Sequence, residues 1–168
     1  VYAPVSLQIT GSTNNTGFIT ASSVAGDHPT GSASGINPDL SVNRHWILTN
    51  SGVTGIANYR VQMTYKTSDL DAGTTPSGFV IARNDGTSWT QPGVNNASSV
   101  SALTNSISGT VMGAFFIGNP FTGRVWSGAV STNWNVPGNW VPSTLPTSAD
   151  DAIIANVPNR PILTPGTN

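Results

Sequence analysis

The chain has 168 residues, a formal net charge of -1 and 8% charged residues, far below the roughly one quarter of ordinary globular proteins. It has no Cys, no Glu, two His (His28 and His45) and a single Lys (Lys66), which argues against acid-base, thiol and multi-ligand metal chemistry. The cations Arg44, Arg60, Arg83, Arg124 and Arg160 are scattered, so the sequence predicts no nucleic-acid partner, and no apolar run approaches the roughly 18 residues that predict membrane insertion.

In chain order, the opening Val1-Tyr2-Ala3-Pro4-Val5 lacks an initiator Met and a charged or apolar leader. It reads as a mature secreted protein or an excised fragment. Val5 to Thr10 and Phe18 to Ser22 are strand-sized and rich in strand formers. Val42 to Thr49 follows, with Val42, Arg44, Trp46 and Leu48 on one face. From Tyr59 to Lys66 the alternation is the clearest in the chain: Tyr59, Val61, Met63 and Tyr65 point one way, Arg60, Gln62, Thr64 and Lys66 the other. The connector Asn50-Ser51-Gly52-Val53-Thr54-Gly55 is turn-rich and predicts an antiparallel pair of these two strands.

Asn84-Asp85-Gly86 lies between Phe79 to Arg83 and Thr87 to Gln91. An Asp-Gly step there predicts a tight hairpin, because such turns need positive φ. Val111 to Gly118 is the last strand of this series, and no long segment has a helical period. The expected class is all-β: an immunoglobulin-like antiparallel β-sandwich over residues 1 to 120. After the breaker Asn119-Pro120-Phe121-Thr122-Gly123, residues 124 to 168 form a Trp- and Pro-rich β extension, the start of a second module or an exchangeable arm between subunits.

Two stretches carry a resemblance. Gly26-Asp27-His28-Pro29-Thr30, Gly35-Ile36-Asn37-Pro38 and Ser41-Val42-Asn43-Arg44-His45-Trp46-Ile47-Leu48-Thr49-Asn50 form the first. The second is Val125-Trp126-Ser127-Gly128 with Asn133-Trp134, Asn139-Trp140, Pro146 and Asp150-Asp151. Both are similar to segments of secreted, repeat-containing cell-surface proteins of Bacteroidota-type bacteria. There the first belongs to a β-sandwich module and the second to a W-x-G…W…NW…P…D repeat of β-rich and β-helical proteins. The resemblance covers roughly a third of the chain, carries no catalytic motif, and implies secretion, modular architecture and a structural or adhesive role.

Candidate sites follow from residue types. Asp69 and Asp71 share a face in an extended segment, and a hard cation such as calcium takes several carboxylate oxygens. Ordinary turn capping is the competing reading, since the full calcium-loop pattern is absent. A serine hydrolase would need a G-x-S-x-G elbow, and Gly31-Ser32-Ala33-Ser34-Gly35 has Ala in the nucleophile's place. Trp126, Trp134 and Trp140 fit an exposed stacking row for polysaccharide or, the reading favoured by a short region, ring plates closing a small core. Trp46, Trp89, Tyr59 and Tyr65 are expected in the core. Ile153, Ile154, Ile162 and Leu163 form short apolar runs in an arm poorly placed to bury itself, suited to adding a strand to a neighbouring sheet.

The sequence therefore predicts a non-catalytic, extracellular structural or adhesion module. Its partners would be other copies of itself, in a filament built by strand exchange, or adjacent modules of a surface protein. The alternative is a carbohydrate-binding module of a secreted polysaccharide-degrading enzyme.

Overall fold

The computed structural model describes residues 3–11, 16–148, 150–154 and 157–163, so Thr164 to Asn168 of the expected extension lie outside the described residues. The chain divides into two compact units, Val1–Pro120 and Phe121–Asn168. Among the described residues the architecture is all-β, with 3-10 turns as its only helical elements, and no helix is long and apolar enough to cross a membrane.

The first unit contains β1 (Val5–Thr10), β2 (Phe18–Ala25), β3 (Ile36–Ser51), β4 (Asn58–Thr64) and β5 (Val80–Asn84). It continues with β6 (Trp89–Thr90), β7 (Val94–Ala97), β8 (Ser101–Thr104), β9 (Ile107–Ser108) and β10 (Gly113–Pro120). One sheet has the order β1-β4-β8-β7 with β9 beside β4, and the other β2-β3-β10-β5-β6. All pairings in both are antiparallel. The sheets pack in sandwich fashion around one core. Tyr59, Val61 and Met63 of β4 and Ala102 of β8 meet Val42, Trp46 and Leu48 of β3, Ile81 of β5, and Phe115 and Ile117 of β10. Tyr65 joins the same core, as the alternation from Tyr59 predicted.

Strands β3 and β4 are not a hairpin, contrary to the sequence expectation. They lie in different sheets, and the connector between them crosses the sandwich. Turn residues mark where a chain reverses without saying whether it reverses within a sheet or between sheets, and both strands turn an apolar face to the same core. The Asn84-Asp85-Gly86 hairpin does form, but as a longer loop pairing Arg83 with Thr90 and Asn84 with Trp89. Only Gly86 there has positive φ. Asp85 instead closes the loop by accepting the Thr87 and Ser88 amides, both at 2.9 Å.

Strand β3 is buried on both faces near its middle, at Ser41 and Val42 and from Arg44 to Trp46. The second face carries a small cluster of Ile36, Ala82 and Phe116, with Trp89 packed at its margin rather than in the main core. The loop before β3 lies over this cluster. Gly31 approaches the Phe116 ring so closely that a Cβ would sit 2.9 Å from it, a contact only glycine makes without displacing the ring.

In the second unit β11 (Arg124–Trp126) is central, with β12 (Trp140–Val141) antiparallel on one side and β13 (Ala152–Ile154) parallel on the other. This small sheet carries a tryptophan cluster.

Candidate functional site

Asp27, His28, His45, Asp69 and Asp71 gather around β3, each bonded to neighbouring groups of the chain. His28, in the loop over the outer face, meets His45 of β3 edge-on at 5.0 Å between ring centroids and Trp89 at 4.9 Å. The Nδ1 of His28 accepts the Thr30 amide at 3.2 Å, and the Nδ1 of His45 lies 3.0 Å from the Gly26 carbonyl. Burial and the nearby His45 hold His28 below its ordinary pKa. Asp27 accepts the Ser41 hydroxyl at 2.9 Å. Its carboxyl is raised above the ordinary value, chiefly by burial, with Asp71 and Asp39 adding to the rise. Because Asp27 engages Ser41 directly and both Nδ1 atoms face other groups, no Ser-His-Asp relay is assembled among the described residues.

Asp69 and Asp71 staple their segment to β3. Asp69 forms an ion pair with the buried Arg44 at 3.3 Å and accepts the Lys66 amide at 3.1 Å. Asp71 accepts the Ser41 amide at 2.8 Å and the Asn43 side-chain amide. Between them Leu70 makes an antiparallel bridge to Val42. Asp69 closes a 3-10 turn, Thr67–Asp69, rather than lying in an extended segment, and both carboxylates serve the neighbouring strand. Among the described residues no group of three or more His, Cys, Asp or Glu side chains could hold a metal ion.

The second unit is built around its tryptophans. Trp126 and Trp134 stack at 6.2 Å with 16° between planes, and Trp140 stands edge-on to both, at 5.1 Å and 4.5 Å. Trp126 is 0% and Trp140 1% exposed, while Trp134 is half-buried. The indole N–H of Trp126 donates to the Asn159 carbonyl at 2.7 Å, and that of Trp140 to the Trp134 carbonyl at 2.9 Å. With Trp126 and Trp140 buried, and Trp140 perpendicular to both other rings, the three do not form an exposed coplanar row, so the sugar-stacking reading loses its main structural support.

Asn139 holds this cluster, a role the sequence did not single out beyond its place in the Asn139-Trp140 pair. Its side chain is 0% exposed. Oδ1 accepts the Val130 and Ser131 amides, each at 2.8 Å, and Nδ2 donates to Ser131 Oγ at 3.0 Å and the Asn133 carbonyl at 2.9 Å. Only an uncharged carboxamide supplies two acceptor and two donor directions at once. The usable sequence signal was its place directly before Trp140, after the turn-forming Pro137-Gly138.

The four apolar arm residues divide. Ile153 and Ile154 are not in a free arm: with Ala152 they pair in parallel with β11, Ile153 against Val125 and Ile154 against Trp126. Ile153 is half-buried, yet Ile154 is 44% exposed, Ile162 61% and Leu163 66%. In comparisons with known proteins, no family model, no curated protein and no solved structure matches this chain.

Proposed function

We propose that this chain is a non-catalytic, extracellular structural module of a bacterial surface protein: an immunoglobulin-like sandwich followed by a β unit that joins it to adjacent modules. One contrast carries the reading. The side chains capable of chemistry, His28, His45, Asp27, Asp69 and Asp71, are engaged with neighbouring groups of their own fold. In the second unit Ile154 stands exposed on β13, which among the described residues is paired on one side only, and Ile162 and Leu163 are exposed as well. Exposed apolar side chains beside an open edge suit association. The similarity of the two motif-bearing stretches to secreted repeat-containing surface proteins supports the same reading. Pairing of Ala152–Ile154 within its own unit favours joining by stacking over exchange of a loose arm.

The test is a panel of chromogenic esters, peptides and glycosides, with retention on insoluble polysaccharides measured in parallel. The expected result is no saturable turnover and no retention. Turnover abolished by His28→Gln or His45→Gln would overturn the reading in favour of a hydrolase, and retention abolished by Trp134→Ala in favour of a carbohydrate-binding module.

A further inference from the structure

Two parallel contacts in the second unit recur at almost one spacing. Arg124, Val125 and Trp126 pair with Ala152, Ile153 and Ile154, and Asn133 bridges in parallel to Ile162. From 124 to 152 and from 133 to 162 the chain returns to the same place after about 28 residues, within the range at which repeated coils stack. Main-chain and side-chain bonds bind the upper coil to the lower. Arg124 N–H donates to the Asp151 carbonyl at 2.7 Å, Ile162 N–H to the Thr132 carbonyl at 2.8 Å, and the Asn159 side-chain amide to the Gly128 carbonyl at 2.9 Å.

Parallel pairing without a register shift places partners on the same side of the sheet. Trp126, in the lower coil, is fully buried, whereas Ile154 directly beside it in the ladder is 44% exposed. Ile162, at the second contact, and the adjacent Leu163 are more exposed still. The outer edge of β13 has no strand beside it among the described residues, and Ala152-Ile153-Ile154 carries neither charge nor proline to discourage pairing. Stacked repeats normally close such an end with a polar cap. Among the described residues the lower coil is therefore covered and the upper one presents an apolar end without a cap.

We propose that β13, Ile162 and Leu163 form the docking face for one further coil of the same repeat, carried in the same polypeptide. Its strand lies parallel to β13, and its apolar side chains cover Ile154 and Leu163. A coil fits better than a second copy because β13 itself pairs in parallel, as does Ile162, the one antiparallel strand β12 lying on the opposite edge of β11, while a two-fold axis perpendicular to the sheet would set β13 antiparallel to itself. The inference rests on the structural-module reading for its biological purpose, but its stacking geometry is tested separately.

The experiment extends the full chain by a copy of residues 141–151 and then a copy of residues 124–151, which restores the spacing and brings a second copy of β11 onto β13. Expected are a slowing of hydrogen exchange at β13 amides of about tenfold or more, protection within the appended strand, and loss of both on Leu163→Asp. That substitution in the parent chain leaves the tryptophan near-UV signal intact. Ile154→Ser is the second variant, with the same expected loss of protection in the extended chain. Unchanged β13 exchange with an unprotected appended strand overturns the proposal. So does a parent chain whose β13 is already protected in a dimer dissociated by Leu163→Asp. Turnover or polysaccharide retention in the panel above would sink the functional reading while leaving the coil stacking untouched.

Discussion

Replacing Asn139 with Ala should remove most of the stability of the second unit. The carboxamide makes four hydrogen bonds from a fully buried position, and each bond contributes about 1 kcal/mol net. Loss of the side chain also strands the amides of Val130 and Ser131. Both amide bonds are part-buried rather than fully enclosed, so the total stays at about 3–4 kcal/mol rather than rising with full desolvation. A unit spanning Phe121–Asn168 has, at about 0.05–0.15 kcal/mol per residue, only about 2–7 kcal/mol to lose. Urea denaturation followed by near-UV circular dichroism of the coupled Trp126, Trp134 and Trp140 rings reads this directly. Asn139→Asp sharpens the test. A carboxylate still accepts from Val130 and Ser131 but turns an oxygen toward the Asn133 carbonyl, so its pKa rises in the fold and stability is regained as pH falls through that raised value. The reasoning fails if Asn139→Ala costs less than about 1 kcal/mol, or if Asn139→Asp is no more stable at pH 4 than at pH 7.

Four further outcomes are expected in the first unit. Asp69→Asn removes the charge that neutralises Arg44, whose side chain is 6% exposed, and should cost about 3 kcal/mol; added calcium should leave the wild-type melting temperature unchanged, and a rise abolished by Asp71→Asn would restore the calcium reading. His28, held below its ordinary 6.5, is protonated more readily in the unfolded chain. Its contribution is therefore complete above pH 6.5 and declines as pH falls through that value toward the lower folded pKa. Asp27, raised above 3.8 by burial, with Asp71, Asp39 and His45 acting on it, works oppositely, its contribution declining as pH rises through the folded value. His28→Gln should flatten the limb just below pH 6.5 in urea midpoints of the full chain, and an NMR titration placing His28 at or above 6.5 would refute the assignment. Asp85, lowered to about 2 by the Ser88 and Thr87 donors, should keep the β5–β6 loop closed above about pH 4 and release it as pH falls toward 2. Asp85→Ala should abolish that pH dependence in the exchange of the Thr87 and Ser88 amides.

What could be read in advance depended on whether a local pattern reported a local fact. Tyr59 to Tyr65 announced its two faces because β4 has one face in the core, so the period of two survives intact. Strand β3 hid its second buried face because the cover comes from Gly31 and His28 in a loop, and no periodicity within β3 refers to that loop. Pairing was less legible again: the same turn residues serve a hairpin and a crossing between sheets. In the second unit the tryptophans were visible as a cluster, but Asn139 was not visible as its hub. Its identity matters only once Val130, Ser131 and Asn133 converge on it, and in sequence it is one Asn among many. The coil spacing was hidden for a related reason. Val125 and Trp126 are matched by Ile153 and Ile154, and only apolar character repeats, not residue identity. A solenoid-like stack requires of successive coils that apolar side chains fall in line, which many sequences satisfy. The strand register therefore holds the information that motif spacing lacked, and it relocates the interest of residues 124 to 168 from the tryptophans, most of whose surface is buried, to the uncovered edge above them.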